Sequence, residues 1–291
     1  MFKLKFLREL PAFSRVIYFI SGFILFSVFS SATAIAQGDL MIFPKRVVFD
    51  GPKRSYDLNL ANTGKDTARY AISIINYRMK EDGSFEEITE PGAGENFAAD
   101  YLRLFPRSVA LAPNESQVVK IQLNRTNQLA TGEYRSHVYF RSVPTEKPLG
   151  EKESTPNKDS AISVQLIPIF GISIPVIIRV GESTAKVTLS DCSLEIENNI
   201  SRLKMTLNRA GNMSVYGDIT VNHISPKGKI TRVGIVKGLA VYTPNAIRRI
   251  QLLLDKPGGD IDYRSGKLYI VYTTPADSKS AKLAEAELVL R

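Results

Sequence analysis

Apolar and polar positions alternate with a period of two through most of the chain beyond residue 37, as at Tyr56, Leu58 and Leu60 and again at Val119, Ile121 and Leu123. A strand points successive side chains to opposite faces, so this pattern predicts half-buried β-strands. Seven apolar-rich runs come first, at residues 39–50, 55–62, 68–80, 103–111, 116–124, 133–143 and 161–178. Turn chemistry separates them at Asp50-Gly51-Pro52, Asn62-Thr63-Gly64, Asp82-Gly83, Pro113-Asn114 and Thr131-Gly132. Strands at this spacing predict an immunoglobulin-like sandwich. A second series follows Gly181, with runs at 185–189, 194–198, 203–209, 214–223, 229–236, 238–242, 248–254, 267–273 and 282–290. The expected architecture is all-β: two immunoglobulin-like β-sandwich domains, residues 37–180 and the smaller 181–291. A connector this short implies a fixed, bent arrangement.

The longest alternation comprises Ile162, Val164, Leu166, Pro168, Phe170, Ile172, Ile174, Val176 and Ile178, all nine on one face of a strand at 161–178. An ordinary strand has about 5–6 residues, so this one is roughly three times the usual length. The preceding residues, 145–160, are rich in Lys, Glu, Ser and Pro and read as a solvated loop. An apolar strand leaving a polar loop either completes its own domain's core or offers side chains to another protein.

The N-terminus reads as a targeting segment. Lys3, Lys5, Arg8 and Arg15 precede a nearly uncharged stretch, and Ala34-Ile35-Ala36 fits a signal-peptidase site. Residues 1–36 are therefore expected to be a signal peptide, with an uncleaved membrane anchor as the less favoured reading. Their removal lowers the formal charge from +9 to +6. The remaining charge is scattered, with no Arg-rich helix, aromatic platform or zinc-finger spacing, which argues against nucleic acid as a partner. One cysteine, Cys192, excludes an internal disulfide. His137 and His223 are the only histidines and lie in no catalytic or metal-binding frame, so neither an enzyme, a metal site nor any cofactor is expected. His137 reads as a strand-surface residue.

Several segments resemble, in order and spacing, the periplasmic chaperone family of the chaperone–usher pilus pathway. They are Pro44-Lys-Arg-Val-Val-Phe-Asp-Gly51, residues 55–64, the stretch from Phe105-Pro106 to Ile121, residues 131–140 and the strand 162–178. The second series is similar more loosely, at 208–218 and 238–242. The resemblance implies a periplasmic chaperone, exported by its signal peptide, that donates its seventh strand to pilus or fimbrial subunits lacking a final β-strand. Such a chaperone hands its clients to an outer-membrane usher. Its inserted residues correspond here to Ile162, Val164, Leu166, Pro168 and Phe170. A self-capping homodimer is an option for the free protein. The resemblance also implies that Arg46 anchors the subunit's C-terminal carboxylate. The second cation of that anchor, a lysine in the family, aligns with Pro175, leaving Arg46 alone or aided by Arg179 or Lys45. Together with the absence of the cysteine pair some branches carry, this marks a divergent branch. The competing reading is an exported two-domain immunoglobulin-like adhesin or structural module in which the long strand is wholly internal.

Overall fold

The computed structural model describes residues 40–144, 169–198, 200–256, 261–276 and 280–290. The expected signal peptide and the donor-strand positions Ile162, Val164, Leu166 and Pro168 lie outside them. The described residues form strands with only two short 3-10 turns between them.

The first half contributes β1 (Leu40–Phe43), β2 (Val47–Phe49), β3 (Ser55–Asn62), β4 (Ala68–Ile75), β5 (Tyr77–Met79), β6 (Phe85–Glu87), β7 (Leu102–Phe105), β8 (Ser108–Leu111), β9 (Ser116–Leu123), β10 (Gly132–Ser142) and β11 (Gly171–Val180). One sheet has the order β1-β3-β9-β7 and a second β2-β11-β10-β4-β8, while β5 and β6 form a separate hairpin. The two larger sheets enclose a core that includes Leu58, Leu60, Val119, Ile121, Val138 and Phe140. These are the inward positions of the period-two pattern, and Asp57, Asn59 and Lys120 between them are exposed. Burying both inner faces is what holds an antiparallel sandwich together. Asn62 ends β3 and is buried. Its Nδ2 donates to the carbonyls of Asp66 and Leu111 at 2.8 and 3.0 Å, and its Oδ1 accepts from the Gly64 amide, so the turn is internally satisfied.

The second half contributes β12 (Lys186–Glu197), β13 (Ile200–Ala210), β14 (Val215–Ile224), β15 (Ile230–Val241), β16 (Ile247–Leu253), β17 (Lys267–Thr273) and β18 (Lys282–Val289). Sheets β12-β13-β16 and β15-β14-β17-β18 pack around a core with Leu203, Leu207, Ile219, Val221, Ile270 and Tyr272. The fold is thus two immunoglobulin-like β-sandwiches.

Differences from the expected strands have local causes. The first run divides at Pro44, which cannot continue a ladder, so that β1 joins one sheet and β2 the other. Pro106 splits β7 from β8 in the same way. Conversely, β12 continues through a bulge between Ser190 and Ser193, and β15 through irregularities, where two strands each were expected. The strand expected at 161–178 is described only as Gly171–Val180.

Candidate functional site

The far end of β11 belongs to its own domain. Ile174, Val176 and Ile178 are buried in the first core and Ile172 packs against it. Phe170 shares their parity but lies before the strand, with its side chain 47% exposed, and Ile169 is 54% exposed. The apolar alternation therefore changes environment along its length, from solvent at Phe170 to core at Ile174. Gly171 lies under the side chain of Tyr139, which a Cβ at that position would strike.

The edges of β11 are unequal. On one side it pairs antiparallel with β10 over its full length, from Gly132↔Val180 to Arg141↔Gly171. On the other it pairs with β2, in parallel, only at Val176–Ile178. Among the described residues, the stretch from Gly171 to Pro175 thus has an open edge. Open edges present unpaired backbone groups that another strand can take up.

Arg46 stands where that open edge ends. Val47 and Phe49 of β2 point into the core, so Arg46 and Val48 point the other way, toward the second sandwich. There Met79, Ile177, Ala240 and Tyr242 form a third apolar cluster, with Val48 and Tyr216 against it. The Arg46 guanidinium carbon lies 4.1 Å from the centroid of Tyr216 and 5.8 Å from that of Tyr242. Its Nη1 is buried and meets no acceptor among the described residues. Burial pulls its pKa below the ordinary value, opposed by Tyr242 and reinforced by the charge of Arg179. A guanidinium still remains protonated under such shifts. Phe43, Lys45, Arg46, Arg179, Ser214 and Tyr216 help line a cavity of about 670 Å³ here.

Arg179 is already engaged. Its Nε donates to Glu133 Oε2 at 3.0 Å and its Nη2 to the Ser214 carbonyl at 2.8 Å. Ser214 in turn donates its amide and its hydroxyl to the same carboxylate oxygen, at 3.1 and 2.8 Å. The Glu133 side chain is fully buried. This network ties β10 and β11 to the second sandwich.

No protein-family model matches this chain, and no curated protein matches it in sequence. Solved structures do resemble it. The chain is similar to pilus chaperones. The YadV chaperone structure matches at 12% identity and a TM-score of 0.43, covering 87% of this chain and 100% of that one. A chain of the CsuC–CsuE chaperone–tip adhesion subunit complex of Acinetobacter baumannii matches at 12% identity and 0.42, covering 85% and 99%. The Salmonella enterica SafA pilin–SafB chaperone complex matches at 15% identity and 0.41, covering 86% and 96%.

Of the residues singled out in the sequence, Arg46 and Arg179 meet at the cavity, and exposed Lys45 lines it too. Pro175 pairs with His137 and brings no charge. His137 is not at the strand surface but 3% exposed, edge-on to the rings of Tyr77 and Phe85. Burial, then the charge of Arg135, pushes its pKa down to about 3. Cys192 is half-buried against the second core, and burial, then the charge of Asp191, raises its thiol pKa, which disfavours the thiolate.

Sequence reasoning passed over Glu133, Arg135, Tyr216 and Tyr242. Arg135 is 8% exposed, and its guanidinium carbon lies 4.4 Å from the Tyr242 centroid. A signal existed: Glu133, Arg135 and His137 alternate on one face of β10, and three polar residues in register on a central strand require an explanation other than solvent.

Proposed function

We propose that this chain is a periplasmic assembly chaperone for pilus or fimbrial subunits, a binding protein rather than an enzyme. In this reading residues 37–180 form the client-binding domain and residues 181–291 a second domain. The observation that carries it is the coincidence of an open edge with a cation. β11 is open from Gly171 to Pro175, β2 closes that edge at Val176, and Arg46 immediately precedes β2. A strand added along the open edge runs out at Arg46, so whichever group ends that strand meets a guanidinium whose buried Nη1 has no acceptor among the described residues. A C-terminal carboxylate fits that position, and guanidinium geometry suits it in a way ammonium does not. A client whose carboxylate reaches Arg46 runs parallel to β11.

Upstream, the same alternation continues through Ile162, Val164, Leu166, Pro168 and Phe170, proposed as the residues inserted into the client's open groove. Burying three or four such side chains contributes very roughly 5–10 kcal/mol before ordering costs, at about 1.5–3 kcal/mol each. That is enough to hold a subunit without ATP. Transfer to an outer-membrane usher and a self-capped free dimer are further parts of the proposal.

The test is purification of the protein from periplasmic extract, with mass spectrometry of what accompanies it, in wild type and in a Leu166→Glu, Phe170→Glu double variant. Pilus subunits with wild type and none with a folded double variant are expected. Equal subunit recovery with both, or no subunit with either, overturns the reading.

A further inference from the structure

Tyr242 is 5% exposed and has two arginines near its ring. Arg46 and Arg135 both approach its ring, and Nε and Nη1 of Arg135, like Nη1 of Arg46, are buried without an acceptor among the described residues. Two acids nearby are engaged by other donors. Glu133 Oε2 takes Arg179 and Ser214. Glu95 takes both Nε and Nη2 of Arg78, at 2.8 and 2.7 Å, and the Gly92 amide. Arg46, Arg135 and Arg179 therefore outnumber the carboxylates of Glu133, whose Oε1 accepts only from the Thr243 hydroxyl at 3.4 Å, and of Asp50, which lines the cavity. Burial disfavours the charged form of Arg135, Tyr242, Glu133 and Glu95 oppose that, and Arg46 adds to it, so that an anion entering nearby would favour the charged form. The cavity beside Arg46 is the open space where one can. Arg135 does not line that cavity, and neither does Tyr242, the ring it shares with Arg46.

We propose that Arg135 is a positioning and specificity-determining residue of this cleft, which strengthens binding of a carboxylate lying on Arg46 without touching it. It acts in two ways. Its charge adds to the field at the cavity through a low-dielectric interior, where Coulomb interactions persist over several ångströms. Its guanidinium also fixes the Tyr242 ring against which Arg46 lies. The inference rests on the proposed function only in taking the cleft as a carboxylate site.

The experiment titrates the purified protein with acetate and, separately, with acetamide, following the arginine Nε–Hε signals by NMR. Acetate should shift the Arg46 and Arg135 signals with one midpoint, and acetamide should shift neither. Arg135→Gln should weaken acetate about five- to fifteenfold, the effect of one charge at moderate distance in a partly buried site. Arg135→Lys, which keeps the charge, should stay within about threefold of wild type. Unchanged acetate affinity in a folded Arg135→Gln variant overturns the inference, as does a Lys variant as weak as the Gln variant. Should Arg135→Gln fail to fold, wild type alone still decides: an Arg135 signal that stays still while Arg46 shifts overturns it. If wild type responds equally to acetate and acetamide, the carboxylate reading of the cleft fails first. Discrimination that survives Arg135→Gln undiminished removes the role of Arg135 alone.

Discussion

Arg46 and His137 project from the same face of one sheet, and burial acts on both by disfavouring charge. For Arg46 the consequence is readiness for an anion. Arg46→Ala removes a cation–π contact worth about 0.5–2 kcal/mol, but also a buried donor without an acceptor. Stability in urea should therefore change by less than about 1 kcal/mol. Affinity for a client strand with a free C-terminus should fall by about 2–5 kcal/mol, the cost of truncating one member of a buried charge pair. Calorimetric titration with free and amidated peptides checks this, and equal binding of both by wild type removes the anchor role. For His137 the consequence is pH sensitivity. Its folded pKa of about 3 lies below the ordinary 6.5, so protonation favours the unfolded chain. The stabilisation is complete above pH 6.5 and is lost as pH falls toward 3, by about 1.4 kcal/mol per pH unit. A His137→Leu variant should show a shallower loss between pH 6 and 4 in urea melts. Identical slopes would contradict the buried neutral imidazole.

At the scale of the element, β11 serves two environments, and variants along it should separate them. Ile174→Ala opens a cavity in the first core and should cost about 2–5 kcal/mol. Phe170→Glu, at a half-exposed position, should cost less than about 0.5 kcal/mol while reducing client capture. Thermal melts of the two variants give the comparison; a Phe170→Glu protein that unfolds would assign Phe170 to the core as well. The alternation that marks this strand was legible in the sequence, because a period of two is imposed by the backbone alone. Where it passes from core to open edge was not, since that depends on β2 beginning at Val47. The same holds for β10, whose run at 133–143 was legible as a strand and whose Val138 and Phe140 lie in the core. Its Arg135 and His137 look like solvent-facing residues until the second sandwich covers them.

Across the whole molecule, residues 40–291 behave as one compact unit. The Glu133–Arg179–Ser214 network joins the sandwiches on one side. The β5–β6 hairpin joins them on the other: Asn245 Nδ2 donates to the Met79 carbonyl at 2.7 Å, the Arg249 amide to the Glu81 carbonyl at 2.6 Å, and Glu81 also pairs with the Arg249 guanidinium. Glu133→Ala leaves a partly buried arginine and two Ser214 donors without their acceptor, and should destabilise by about 2–4 kcal/mol. Scanning calorimetry should then resolve two transitions in place of one, because the sandwiches lose a buried polar coupling. A single transition at an unchanged temperature would make the network incidental.

The sequence by itself determined the all-β class, the two series of strands, most inward positions and the candidate arginine, because backbone period and turn chemistry are local properties. Tertiary structure alone decided that Glu133 occupies Arg179, that Arg135 lies buried against Tyr242, and that the β11 edge opens where Arg46 begins. Those facts depend on which faces meet across two sandwiches. Residues from Arg46 to Tyr242 acquire a common electrostatic environment only when folding brings them together and excludes water between them.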